Sequence, residues 1–210
     1  MNLRRRRPAI WALVIAATTA TLVAGTGAPS SASTAAAGPS SAQRATAAAT
    51  GSFVFRTANG ILPTWESSGV RITGVSPGSA ISNFANTYAE VTLPIVAVNG
   101  SAHFAAGGFR FTNVGTGDFV NCATPVIDTK AKVLDCVTQG GINRGVFIIN
   151  SIATKSNIYG AFTRTTIYRG MTLRVANTLM ADFLNDALDV NIFSPSVTFA
   201  TGELTVNKKS

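Results

Sequence analysis

YAEVTLPIVAVNGSAHFAAGGFRFTN, residues 88–113, is the stretch that decides the fold. Tyr88 to Val98 reads as one long apolar strand, bent at Pro94, which brings no donor to a ladder. Asn99-Gly100 is a strong short hairpin signal and turns the chain into Ser101–Ala105. Gly107-Gly108 interrupts, and Phe109–Asn113 resumes with Phe109 and Phe111 on one face. Three strands in succession, joined by turn residues and with no helical period, point to antiparallel pairing.

The pattern continues in both directions. Upstream, Ser52–Arg56 and Val70–Val75 alternate as half-buried strands, and Pro77-Gly78 is a turn signal. Downstream, Cys122 and Cys136 are each seven residues from Thr129. With Asp128-Thr129-Lys130 as the turn, Ile127 faces Ala131 and the two cysteines fall opposite each other, within the reach of a disulfide. Gln139-Gly140-Gly141 breaks the pattern. Gly145–Ile152 is the most apolar strand and should be central. Asn157–Tyr168 and Met171–Val175 follow, hinged at Arg169-Gly170. Val190–Phe193, Val197–Phe199 and Glu203–Val206 complete the strands, with Ser194-Pro195 and Thr201-Gly202 as turns and Lys208-Lys209 as a solvated tail.

Val175–Leu188, VANTLMADFLNDAL, is the exception. Ala176, Leu179, Met180, Phe183, Leu184, Ala187 and Leu188 recur at steps of three and four, which makes one apolar helical face. Asn177 or Thr178 can cap its start. A lone amphipathic helix needs a sheet to cover. The expectation is an all-β fold, an antiparallel β-sandwich or barrel of about ten strands with one amphipathic helix near the C-terminus, plugging an open end or lying along a sheet.

The rest of the 210 residues has a different character. Residues 1–33 have the parts of a signal peptide: Arg4–Arg7, the apolar run Ala9–Ala24, then small residues, with Ser31-Ala32-Ser33 or Ala35-Ala36-Ala37 suiting a signal peptidase. The run is shorter than the roughly 20 residues of a membrane span and is diluted by Ala and Thr. After cleavage no membrane span is expected. Residues 34–50 read as a disordered Ala/Ser/Thr linker, too poor in large apolar side chains to offset its ordering entropy. That leaves 51–207 as a β-rich secreted, extracellular domain. Two cysteines in an exported chain favour the Cys122–Cys136 disulfide on compartment grounds as well.

The formal charge of +8 belongs partly to the leader: without Arg4–Arg7, thirteen basic residues face nine acidic ones. They are scattered, and no nucleic-acid stripe results. Leu62-Pro63-Thr64-Trp65 sits far from the C-terminus and lacks the glycine of a wall-sorting signal.

Leu93-Pro94-Ile95, Gly100–Gly108, Pro125–Asp128, Arg144–Ile148, the helix with Leu184–Leu188, and Thr201–Val206 occur together in this order. This set resembles a group of secreted actinobacterial β-proteins of unknown function, themselves distantly similar to HtaA-type haem-uptake domains. The resemblance covers most of Val70–Val206. It implies an exported β-rich domain. HtaA-type domains ligate haem through a tyrosine in an early segment, supported by a histidine. Here Ser52–Trp65 contains no tyrosine, while His103 stands where the supporting histidine would.

The residues exclude more chemistry than they propose. Zinc would need more His or Cys ligands than this chain has. A serine nucleophile lacks its Gly-x-Ser-x-Gly elbow. Glu90, Asp118, Asp128, Asp135 and Asp189 could include a hydrolytic carboxylate pair, but turn and edge solvation is the simpler role. His103, Tyr88 and Tyr168 are the possible ligand-binding residues, with no catalytic residue and no metal ligand assigned. The expected function is a non-catalytic secreted binding or structural module of the bacterial cell envelope, not an enzyme. The alternatives are a haem or hydrophobic small-ligand binding protein of HtaA type and a carboxylate-based hydrolase. No cofactor is required, with haem the one to test. The expected partner is an envelope component or a hydrophobic ligand.

Overall fold

The computed structural model describes residues 47–83, 87–139, 141 and 143–209. The signal peptide expected over 1–33, and the expected linker as far as residue 46, lie outside the described residues. In chain order the elements are β1 (Ala47–Thr57), α1 (Ile61–Ser67), β2 (Val70–Val75), β3 (Ser79–Asn83), β4 (Tyr88–Asn99), β5 (Ala102–Ala105), β6 (Gly108–Asn113), β7 (Phe119–Asp128), β8 (Val133–Val137), β9 (Asn143–Ser151), β10 (Thr154–Tyr159), β11 (Thr163–Val175), α2 (Thr178–Leu188) and β12 (Thr198–Lys209).

Eight of these strands close into an antiparallel barrel, in the order β7-β5-β4-β1-β12-β11-β9-β8 and back to β7. The remaining four strands extend it. β5 and β6 are one strand kinked at Ala106-Gly107, since both pair with β7 in nearly the same register. β2 adds to β6, and β3 to the first half of β4. β9 and β10 are likewise one bent strand against β11.

Period-two alternation builds the core. On β4, Ala89, Val91, Leu93 and Ile95 point inward. The irregularity falls between Ile95 and Ala97, just past Pro94; it leaves Val96 51% exposed and returns Val98 to the interior. One end of the barrel is filled by aromatic rings. Phe55 lies edge-on to Phe109 at 5.2 Å, Phe147 packs on Phe199 at 4.9 Å, and Trp65 meets Phe111 at 5.2 Å. The two short helices close this end. Trp65 comes from α1, an element the sequence did not announce. The Leu62-Pro63-Thr64-Trp65 tetrapeptide is therefore the body of a helix, with Leu62 and Trp65 buried.

α2 begins at Thr178, with Asn177 accepting a hydrogen bond from the Met180 amide at 3.0 Å. Its buried residues are Met180, Ala181, Leu184 and Leu188. Leu179, expected in the stripe, is 70% exposed, because the covered face is rotated toward Ala181. Asn113 of β6 holds the far end, donating to the Leu188 carbonyl at 2.7 Å.

Several boundaries differ from expectation. Val190–Phe193 is not a strand: Asn185 Oδ1 accepts from the Ile192 and Phe193 amides at 3.0 and 2.9 Å, which takes the donors a ladder would use. Thr201-Gly202 is not a turn. Gly202 lies inside β12, where a Cβ would stand 3.0 Å from Phe53 Cε2 and 3.1 Å from the Val54 carbonyl oxygen. Glycine is there for close approach, not for chain reversal. Lys208 and Lys209 are not a tail but pair with Arg164 and Thr163 of β11. Asn157–Tyr168 is a hairpin, not one strand, and Arg169-Gly170 is a bulge inside β11, with Gly170 at φ 63°. β1 begins at Ala47, so the last residues of the expected linker pair with β4 and β12.

Cys122 and Cys136 are bonded, with Cα atoms 4.7 Å apart, but not through the expected register. The turn runs from Asp128 to Val133, longer than expected, because Asp128 Oδ1 accepts from the Lys130 and Ala131 amides, both at 2.8 Å. A bulge between Ala123 and Val126 then offsets the strands. The ladder neighbours of the two cysteines are Phe109 on β6 and Arg144 on β9.

Candidate functional site

The end of the barrel opposite the aromatic plug is polar. β5 carries His103 inward, between Val98 of β4 and Ile127 of β7. His103 is 3% exposed, and neither ring nitrogen has a hydrogen-bond partner in the protein. Its ring meets the edge of Tyr168, centroid to centroid 5.8 Å. Burial, reinforced by Lys208 and Lys155 against the opposing charge of Asp128, lowers the His103 pKa to about 4. The imidazole is therefore neutral near neutral pH, with one N–H to donate and one lone pair to offer.

Tyr168 belongs to a row that continues outward from the barrel. In the β10–β11–β12 register, Lys155 pairs with Tyr168 and Tyr168 with Leu204. Asn157 pairs with Thr166 and Thr166 with Val206; Tyr159 pairs with Arg164 and Arg164 with Lys208. Alternate residues share a face, so these rungs carry on the face of Tyr168, buried at Tyr168 and exposed at Asn157, Tyr159 and Arg164. Asn157 Oδ1 ties the wall together, accepting from Thr166 Oγ1 at 2.9 Å and from an Arg164 amino group at 3.1 Å. The Lys155 ammonium stands 5.2 Å from the Tyr168 ring centre. His103, Tyr168, Thr166, Lys155, Arg164 and Lys208 surround a pocket of about 160 Å³. A wider cleft of about 560 Å³ adjoins it, between β10 and the turns at Gly100-Ser101 and Thr129-Lys130.

The charge is one-sided. Among the described residues the ion pairs are Arg56 with Glu90 and Arg169 with Glu203. Lys155, Arg164 and Lys208 belong to neither. A buried neutral imidazole at the floor, a phenol beside it and three cations at the mouth suit a ligand with anionic groups and a group that can bond the ring nitrogens.

His103 and Tyr168, two of the residues singled out from sequence, thus meet. Tyr88 does not join them: it lies at the start of β4 under the Arg56 guanidinium, 5.1 Å from its ring centre. Cys122 and Cys136 lie in the disulfide. Among the described residues no three His, Cys, Asp or Glu side chains gather as a metal site. Asp128 serves its turn: burial pushes its carboxyl up, but hydrogen bonds from the Ala131 amide, the Ser101 hydroxyl and the Lys130 amide outweigh this and hold it below the usual range. Burial, with the neighbouring Asp128, raises Asp135. Glu90 is engaged by Arg56. The cations at the mouth were missed in the sequence. Reading residues 154–169 as a hairpin about Gly160 would have aligned Lys155, Asn157 and Tyr159 with Tyr168, Thr166 and Arg164.

No family model matches this chain. No curated protein matches it either. Among solved structures it is similar to the haem-binding protein HtaB from Corynebacterium glutamicum, at 10% identity and a TM-score of 0.41, over 77% of this chain and 95% of that one.

Proposed function

We propose that this chain is a non-catalytic binding module of the bacterial cell envelope, and that its ligand site is the His103–Tyr168 end of the barrel. The observation that carries this reading is the buried His103 ring with two unpartnered nitrogens. An unsatisfied buried polar group costs roughly 1–3 kcal/mol, and a ligand that bonds it recovers that cost. The cations at the mouth match anionic groups on the same ligand. A disulfide-bonded β-fold with no membrane-crossing helix among the described residues is compatible with an extracellular place.

Haem is the second reading, favoured by the contact between His103 and Tyr168. An early tyrosine is missing from Ser52–Trp65, but Tyr168 brings a phenol against the histidine from β11. The donor set fits: Tyr168 or His103 would face the iron, while Lys155, Arg164 and Lys208 would meet carboxylates. When bound, haem would supply an iron centre with a strong Soret absorption. Titration with haemin tests this. A shifted Soret band that His103→Ala and Tyr168→Phe each weaken supports the haem reading; an unchanged spectrum removes it and leaves other anionic apolar ligands for the same pocket. Turnover of any glycan in a substrate panel would overturn the non-catalytic reading.

A further inference from the structure

The tip of the β10–β11 hairpin carries apolar side chains beyond the pocket, and Tyr159 there packs under the pocket's Arg164, 5.3 Å from its ring centre. Ile158 is 57% exposed, Tyr159 71% and Phe162 81%, three large apolar side chains within five residues at the hairpin tip. Hairpin tips ordinarily carry small polar residues. β10 pairs with β11 and contributes no other ladder. Cations stand behind the tip: Arg164 on the hairpin, and Lys208 and Lys209 on the adjoining end of β12, paired with Arg164 and Thr163, with Lys155 further back beside Tyr168. Residues 154–169 and 204–209 contain no acidic side chain.

We propose that this tip docks onto an anionic lipid bilayer, with Phe162, Tyr159 and Ile158 entering the interface and the cations meeting lipid headgroups. The spacing fits. Arg164 lies two residues behind Phe162, about 7 Å along an extended strand. That is the depth over which an interfacial element passes from acyl boundary to headgroups, roughly 5–10 Å. Aromatic side chains prefer this zone. A soluble wall polyanion would use the cations but would gain nothing from an exposed phenylalanine, so the apolar tip selects the bilayer. The proposal shares Lys155, Arg164 and Lys208 with the His103 pocket, whereas Ile158, Phe162 and Lys209 lie outside it.

The barrel closes within residues 47–209 and draws its core from Phe53 to Val206, so residues 43–210 are a self-contained unit for the test. It is mixed with vesicles of phosphatidylcholine alone or with phosphatidylglycerol added, and sedimented. Binding is expected to the anionic vesicles and to weaken with salt. F162S/I158S should lower it about tenfold or more. Lys209→Ser should lower it about fivefold. These positions lie outside the pocket, so haemin or other pocket binding should not change. The proposal is overturned if neither vesicle binds, or if F162S/I158S sediments like the parent. Heparin that binds as tightly as the vesicles, with equal affinity for F162S/I158S, would also overturn it.

Discussion

Replacing His103 by leucine should remove a pH dependence of stability without weakening the protein at neutral pH. The folded protein holds His103 with a pKa near 4, against an ordinary value of 6.5. Between those values the unfolded chain binds a proton that the folded chain refuses. Stability is therefore full above the unfolded pKa and falls as the pH drops toward the folded one. Each pH unit in that window costs about 1.4 kcal/mol, and the loss between pH 7 and pH 5 comes to about 2 kcal/mol. This range lies above most carboxylate titration, so the imidazole dominates it. Urea unfolding of residues 43–210, followed by circular dichroism at several pH values, would measure the loss. The parent should lose about 2 kcal/mol more than His103→Leu over this range. At neutral pH the variant should match or exceed the parent, because leucine removes two buried nitrogens that nothing in the protein satisfies. Equal losses on acidification would mean that the ring titrates normally and is open to water. A large loss at neutral pH would mean that it makes structural hydrogen bonds. Either result would refute the account of the site.

Two further substitutions address the frame. Cys122 and Cys136 lie 14 residues apart, and opening a loop of that size should cost about 3 kcal/mol; a Cys122→Ala/Cys136→Ala variant with an unchanged urea midpoint would contradict this. Asn185→Ala removes the acceptor for two amides and the donor to the Phe193 carbonyl. A cost of about 2 kcal/mol is expected, with faster amide exchange at Ile192 and Phe193; unchanged exchange there would show that the loop holds itself.

The strand content was legible because alternation is local. Tyr88–Asn113 reads correctly down to the turn beside Asn99 because inward residues of β4 and β5 fall two apart, except across the irregularity between Ile95 and Val98. What failed depended on distant partners. Gly202 is indistinguishable from a turn glycine until Phe53 is seen against it. Val190–Phe193 has a strand's composition, and only the side chain of Asn185 takes its amides away. α1 has no period of its own and exists because Trp65 fits among Phe111, Phe193 and Phe199. The disulfide was found although its register was not, since compartment and spacing suggested the partners while a bulge at Thr124-Pro125 changed their geometry. Of the site, His103 and Tyr168 could be named for their chemistry, but their meeting could not, because 65 positions of sequence separate strands that barrel closure brings together.

The earliest and the latest of the described strands are neighbours: β1 lies between β4 and β12. Until β12 is made the wall therefore stays open, with unpaired edges on β1 and β11. A chain of this design cannot complete its fold too early.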